Sequence, residues 1–322
     1  MKLAFIGMGN MAYAILKGGC DRGFFNPAHV SAYDINTVRL AEVAAETGIT
    51  AAVSTAEAAR QADMVLLAVK PNVVESVVAE MGDALCGKAV LSIASGWTTE
   101  KLRALLPESA RVMFVIPNTP CMVGEGMAIA EEGSTFTQEE QDYVRELFSA
   151  IGQYRVVPQK LMNGASTLTG CGPAFIYLIM EGLADGAVYH GVPRQLAYEL
   201  AAQTVIGAGK MLLESGLHPG ALKDNVCSPG GTTIRGIRAM EDAGVRAAMI
   251  DAIDATTPES VCSKPAVPLG QPVFSVPGAP SVFHREARKV WKSLHAAAFY
   301  TPGSPPHRAS RQHWGQLVRL AS

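Results

Sequence analysis

Lys2-Leu3-Ala4-Phe5-Ile6-Gly7-Met8-Gly9-Asn10-Met11-Ala12 is the stretch that decides the fold class. Leu3 to Ile6 has no polar face, so it reads as a strand covered on both sides. The run breaks at Gly7, and a helical window extends from Met11 to Gly19. A Gly-x-Gly-x-x-Ala pattern between a strand and a helix is a dinucleotide-binding turn. In it Gly7 permits the tight turn, Gly9 lets the backbone approach a pyrophosphate, and Ala12 lets the helix pack closely on the strand. The helix start offers unpaired N–H groups and a positive dipole end to phosphates. Gly7, Met8, Gly9, Asn10 and Met11 are therefore candidate cofactor-binding residues.

Four more strand candidates follow at Val30–Tyr33, Met64–Ala68, Ala89–Ile93 and Val112–Ile116. Helical windows at Val38–Thr47, Val73–Met81 and Thr99–Leu106 alternate with them. Apolar strands separated by helices predict a parallel, doubly wound α/β sheet of Rossmann type over residues 1–158. Thr137-Gln138-Glu139-Glu140 is spaced as a capping box opening one more helix. Ligands of such sheets bind outside the carboxyl ends of the strands. Asp34 ends the second strand, where a carboxylate accepts from a free ribose 2′-hydroxyl and repels a 2′-phosphate. On that point alone NADH is expected over NADPH; an Asp that merely starts the turn Asp34-Ile35-Asn36-Thr37 is the plain alternative. Ala68-Val69-Lys70-Pro71, Ala94-Ser95-Gly96 and Pro117-Asn118-Thr119-Pro120 end three further strands on the same edge. Lys70, beside a rigid proline at that edge, reads as functional rather than as an ordinary solvated lysine.

From Gln159 to Thr257 the strand signal stops, and an all-α domain is expected. Pro173 through His190 is apolar almost all round, with Phe175, Ile176, Tyr177, Leu178, Ile179 and Leu183 among its residues. Such a helix must be buried on every side. A helical domain of this size cannot cover it alone, so an obligate homodimer is expected. Further on, Ser228-Pro229-Gly230-Gly231-Thr232-Thr233 reads as a tight turn feeding a helix that starts near Thr232. Successive N–H groups there form a concave site suited to a small carboxylate, with two threonine hydroxyls alongside. A capped helix after a turn is the plain alternative.

Hydrophobic residues are 48% of the 322 and charged residues 17%, which allows a sizeable core and argues against global disorder. The formal net charge of −2 gives no reason to expect nucleic acid as a partner. Glycines interrupt the first apolar run where a secretory signal needs an unbroken core. No stretch reads as the roughly 20 apolar residues that span a bilayer. The expectation is a cytoplasmic protein without a membrane partner. Six cysteines with no CxxC pair read as reduced, buried thiols. No His/Cys/Asp/Glu cluster has metal-ligand spacing. Residues 258–322 differ in character, with eight Lys and Arg against two acids and nine of the 19 prolines. That composition predicts a poorly ordered basic tail in which only Ser281 to Phe299 could be helical. A basic recruitment tail is the alternative.

The stretch from His218 to Glu241 resembles the signature of pyrroline-5-carboxylate reductases. It carries Pro219-x-x-Leu222, Ser228-Pro229-Gly230-Gly231-x-Thr233 and Gly236 at the family's spacing. The likeness extends to Gly7-x-Gly9-x-Met11-Ala12, Ala68-Val69-Lys70-Pro71, Pro117-Asn118-Thr119-Pro120 through Gly126, and Gly170-x-Gly172-Pro173-Ala174-Phe175. It covers residues 1 to 257. The resemblance implies a Rossmann domain and a helical domain that dimerises by interlocking, with higher assemblies, often decamers, built on the dimer. It implies reduction of the cyclic imine 1-pyrroline-5-carboxylate to L-proline with NADPH or NADH, in proline biosynthesis. Cofactor loops would fall on Gly7 to Met11, Asp34, Ala68 to Pro71 and Ala94 to Gly96, with Asn118 and Thr119 near the nicotinamide. Ser228, Gly230, Gly231, Thr232 and Thr233 would hold the substrate carboxylate. The Thr233 hydroxyl, near the imine nitrogen, is the catalytic candidate, and the loop would serve the neighbouring subunit's nicotinamide. An iminium is already electrophilic, so orientation at about 3–3.5 Å supplies the rate and no His or Cys is required.

The sequence departs from the family at Asp34, Thr55, Asn163 and Cys171. The likeness ends at Thr257, and the segment from Pro258 reads as out of frame with the family's last helix. Two alternatives stay open: a reductase of another small imino or oxo acid using Lys210, or a non-catalytic dinucleotide-binding scaffold.

Overall fold

Strand β1 (Leu3–Ile6) sends Leu3 and Phe5 into one buried cluster and Ala4 and Ile6 into another. Alternate side chains of a strand point to opposite faces, so a strand covered on both sides is apolar throughout. The structure is a computed structural model that describes residues 1–258. After β1 come α1 (Asn10–Asp21), β2 (Val30–Tyr33), α2 (Thr37–Thr47), β3 (Thr50–Ala51), α3 (Thr55–Gln61) and β4 (Met64–Leu67). Then follow α4 (Val74–Met81), β5 (Ala89–Ser92), α5 (Thr99–Leu105), β6 (Arg111–Ile116), β7 (Gly126–Glu131), α6 (Gln138–Ala150) and β8 (Gly152–Val157). The helical half comprises α7 (Gln159–Tyr189), α8 (Arg194–Ser215), α9 (Pro219–Asn225), α10 (Thr232–Asp242) and α11 (Val245–Thr256).

The eight strands form one sheet in the order β3-β2-β1-β4-β5-β6-β7-β8. From β1 the chain winds outward through β2 and β3, then crosses to β4 on the other side. That reversal is the switch point at which doubly wound sheets open a crevice. The sheet is not wholly parallel, because β7 runs antiparallel to β6 with Val115 opposite Ala130. Strands β3, β7 and β8 add to the five expected. The first is only two exposed residues, and β8 alternates exposed and half-buried positions, so neither gives the apolar run that marks a covered strand.

The expected capping box opens α6: the Thr137 hydroxyl accepts the Glu140 N–H, and the Glu140 carboxylate accepts the Thr137 N–H at 2.8 Å. The same carboxylate takes two donors from Arg111 on β6, Nε at 2.9 Å and Nη2 at 2.6 Å. Burial by itself would push the Glu140 carboxyl up. Arg111 and the Thr137 amide outweigh it and hold the carboxyl below its ordinary value.

The helical half departs from expectation in its long helix. A helix was expected from Pro173, but α7 starts at Gln159 and runs through Pro173 for 31 residues. By length and composition it is long and apolar enough to cross a membrane, unlike any stretch read from the sequence. Within the single chain it is not buried on every side, in keeping with the expectation that a second subunit is needed to cover it. Only Met162, Thr167 and Ala184 of α7 are buried, while Leu178 is 66% exposed and Leu213 on α8 is 79% exposed. One layer of helices leaves the outer face open. Ala184 meets Ala197 and Ala201 of α8 in the one small buried cluster of this half, since small residues let the two axes approach.

All five described cysteines are free, but only Cys121 is buried, and burial pushes its thiol up to about 12. Cys86 is exposed and the others half-buried, so the uniform burial expected of them does not hold. Among the described residues no group of three His, Cys, Asp or Glu could hold a metal. The expectations for residues 259–322 and for Cys262 lie outside the described residues.

Glu140→Gln should cost about 2 kcal/mol at neutral pH, the worth of charge-assisted bonds lost from a part-buried site. A carboxyl held low stabilises the fold above its unfolded value, near 4.3, and loses that contribution as pH falls through its folded value. The stability gap between wild type and variant, measured by urea unfolding, should therefore close below about pH 4.

Candidate functional site

The first candidate loop leaves β1 at Gly7, whose φ of +93° is open to glycine and costly for any other residue. A Cβ on Gly7 would lie 2.8 Å from the Ala68 carbonyl oxygen and 3.1 Å from a Val69 methyl. The ends of β1 and β4 are thus drawn together. Gly9 is the N-cap of α1, with φ −70° and ψ −179° and no side chain closing the helix start. A Cβ there would meet no protein atom within 4 Å, so this face of the turn is open. Met8 is buried in the core, Ala12 is 1% exposed beneath the turn, and Asn10 is exposed.

Asp34 does something the sequence reading gave only as an alternative. One carboxylate oxygen accepts the Met8 N–H at 2.6 Å, and the other accepts the Asn36 N–H at 2.7 Å. Asn36 in turn caps α2 by accepting the Arg39 N–H at 3.1 Å. The carboxylate is therefore a brace between the glycine turn and the start of α2. Each bond is charge-assisted and short, as expected of an ionised acceptor. Asn36 was not singled out from the sequence, although a polar residue one before a helical window is a capping signal.

The remaining loops meet on the same edge. Ala68 and Val69 are half-buried; Lys70 and Pro71 are exposed at the head of a short turn. Ala94 is buried, and Ser95 and Gly96 are exposed. Trp97 ties the two loops, its indole N–H donating to the Pro71 carbonyl at 2.9 Å. Thr55, where the resemblance places an adenosine contact, is buried at the start of α3. Asn118 lies two residues beyond β6; its amide donates to the Thr169 carbonyl at 3.0 Å and its oxygen accepts the Met127 N–H at 2.8 Å.

In the helical half, α10 begins at Thr232 as expected, with Gly231 as an N-cap that no side chain closes. The Gly231 N–H donates to the Ser228 carbonyl at 3.0 Å, forming the tight turn. Ser228, Gly230, Thr232 and Thr233 are exposed, and the turn's hydrogen bonds stay within residues 228–235. The single chain does not bond this turn to the glycine loop. Lys210 is an exposed lysine 3.8 Å from Glu125.

A Rossmann-type nucleotide-binding half joined to an all-helical half is the class that fold and loops define. The family model for pyrroline-5-carboxylate reductase dimerisation matches residues 159–261. The model for coenzyme F420-dependent NADP oxidoreductases matches residues 2–96. The chain is 41% identical over 253 residues to the pyrroline-5-carboxylate reductase of Methanosarcina acetivorans, covering 78% of this chain and 94% of that protein. The Escherichia coli pyrroline-5-carboxylate reductase is 39% identical over the same shares. Among solved structures, Plasmodium falciparum pyrroline carboxylate reductase with NADP bound superposes with a TM-score of 0.72 at 30% identity, covering 81% of this chain and 97% of that one. The chain belongs to the pyrroline-5-carboxylate reductase family.

The two glycines should separate under the same substitution. Gly7→Ala should destabilise the fold by about 2–4 kcal/mol through strained φ and the clash with Ala68. Gly9→Ala should change stability by less than about 0.5 kcal/mol. Equal losses in thermal unfolding would contradict this assignment.

Proposed function

We propose that this chain is an NADPH-dependent reductase that converts 1-pyrroline-5-carboxylate to L-proline. The observation that carries the reading is the pair of helix starts at Gly9 and Gly231, both glycine-capped and closed by no side chain. Each presents N–H groups and a positive dipole end to an anion, one in the nucleotide half and one in the helical half. The family's named activity unites those two anions, a dinucleotide and a small carboxylate.

The residues fit a dinucleotide. Gly7 lets the ends of β1 and β4 close up beneath the turn, and the face at Gly9 is open. The amides of Gly9 to Met11 would hold the pyrophosphate, with Ala68 to Pro71 and Ala94 to Gly96 flanking the same edge. Bound there, the reduced nicotinamide supplies the hydride. Asp34 engages both carboxylate oxygens with backbone amides, which gives it a bracing role besides any contact with the ribose; the choice of NADPH rests on the Plasmodium relative, which has NADP bound.

The amides from Gly231 to Thr233 would receive the substrate carboxylate, and the Thr233 hydroxyl would hold or pass the proton at the imine nitrogen. The rest is orientation: an iminium needs no protein nucleophile. The open apolar faces of α7 and α8 would pack against a second copy, in keeping with the dimerisation match over residues 159–261. In that homodimer the 228–233 loop would serve the partner's nucleotide edge, and a decamer would be an assembly of such dimers.

Purified protein given the imine should oxidise NADPH, read at the reduced-cofactor absorbance; no turnover with NADPH or NADH would overturn the proposal. Thr233→Ala should lower kcat by up to about 100-fold and leave the Kd for NADPH unchanged. Asp34→Ala should weaken NADPH and NADH alike, each by about tenfold or more, since charge-assisted bonds worth about 1.5–3 kcal/mol each shape the loop. Weaker NADH with tighter NADPH would instead put the carboxylate on the ribose.

A further inference from the structure

Proline inside a helix has a definite consequence. Pro173 has no N–H, so the carbonyl four residues earlier loses its ordinary helical donor. That carbonyl belongs to Thr169, and α7 nevertheless runs unbroken from Gln159 to Tyr189. The Thr169 oxygen is the acceptor of the Asn118 amide, at 3.0 Å. The other end of the same side chain accepts the Met127 N–H at the start of β7, at 2.8 Å. Both ends of one carboxamide are thereby committed to protein backbone, one in the sheet and one in the long helix.

The place of this bridge gives it meaning. Asn118 lies two residues past the end of β6, at the carboxyl edge where the nucleotide loops gather. The next residues, Thr119–Val123, form a helical turn that packs on α1, the helix that begins at the glycine turn. Cys121 of that turn is buried, and its carbonyl faces Gly18 of α1 so closely that no Cβ would fit there. One short segment thus holds α1 through its backbone packing and α7 through a side chain. Sequence reading put Asn118 beside the nicotinamide and Pro173 in an unrelated motif; the structure joins them.

We infer that Asn118 is a positioning residue for hydride transfer, and that it acts by docking the carbonyl freed by Pro173 and so fixing α7 against the nucleotide edge. The inference rests on the reductase reading above. Because the 228–233 turn would serve the partner's nucleotide edge, Asn118 would act through the seating of α7 in the dimer, and a misplacement of about 1 Å can cost on the order of 100-fold in rate.

The test is a double-mutant cycle in the full chain with Asn118→Ala, Pro173→Ala and both together. Steady-state kinetics with NADPH and the imine would be measured alongside the Kd for NADPH and the melting temperature. Asn118→Ala should lower kcat about 30-fold while KM and the NADPH Kd move less than about threefold. Pro173→Ala restores an N–H to the Thr169 carbonyl, so the double variant should recover to within a few fold of Pro173→Ala alone. Multiplicative losses in the double variant would overturn the inference. So would an Asn118→Ala effect confined to NADPH affinity, which a direct nicotinamide ligand would give. Should Asn118→Ala not fold, Asn118→Asp is isosteric and keeps the acceptor for Met127. Its carboxylate opposes the Thr169 carbonyl and its protonated form can donate to it. The ratio of its kcat to wild type should therefore rise as pH is lowered from about 8 to about 5; a flat ratio overturns the bridge. An inactive wild type would sink the reductase reading. An active wild type with additive effects on kcat and melting would sink the bridge alone.

Discussion

The close approach of Gly7 to the Ala68 carbonyl is the constraint on which the nucleotide edge depends. It brings the ends of β1 and β4, the two strands flanking the switch point, to within van der Waals reach of each other. Only a residue without Cβ, at φ +93°, can stand there. Once Gly7 is placed, the chain must turn up into α1, and Met8 brings its N–H to Asp34 at the end of β2. Three neighbouring strands, β2, β1 and β4, are thus tied together at their carboxyl ends by one glycine and one carboxylate. The open face at Gly9 is what remains, and it is the face an anion can use.

A second tie works across the molecule. The helical half buries little of its own, and its α7 is seated on the sheet through Met162, which joins the core cluster of Val112, Phe114 and Ile129. A polar contact adds to that seat, the bond from Asn118 to the Thr169 carbonyl. The proline that weakens α7 at one carbonyl also creates the acceptor that docks it. Loss and gain fall on the same oxygen, the Thr169 carbonyl, within one helix of 31 residues.

Much of this was readable from residues alone. The strand-to-helix turn at Gly7, the capping box at Thr137, the helix start at Thr232 and the two-part architecture follow from local rules of spacing and backbone geometry. What local rules missed has a common cause. Strand β8 sits at the far edge of the sheet with mixed exposure, so its pattern lacks the apolar run of a covered strand; β7 is largely buried, but its short apolar run between a glycine and a glutamate was not picked out. The apolar run was read from Pro173 onward, because it is continuous there; the proline's partner, Asn118, is 55 positions away in the chain and visible only in three dimensions. Asp34 was read toward a ribose because its place at the end of β2 suggests that role, whereas the backbone amides that occupy it come from two different turns. The exposed apolar faces of α7 and α8 were anticipated as a need for cover, but a single chain leaves them open.

The central claim is that two glycine-capped helix starts, one in each half, hold a dinucleotide and a small carboxylate on either side of a hydride. A structure of the assembled protein with NADP and L-proline tests it directly. The account predicts the proline carboxylate on the amides of residues 231–233, and the ring carbon next to nitrogen at about 3–3.5 Å from the nicotinamide carbon that carries the hydride. Proline bound elsewhere, or a 228–233 turn remote from every nicotinamide in the assembly, would contradict it.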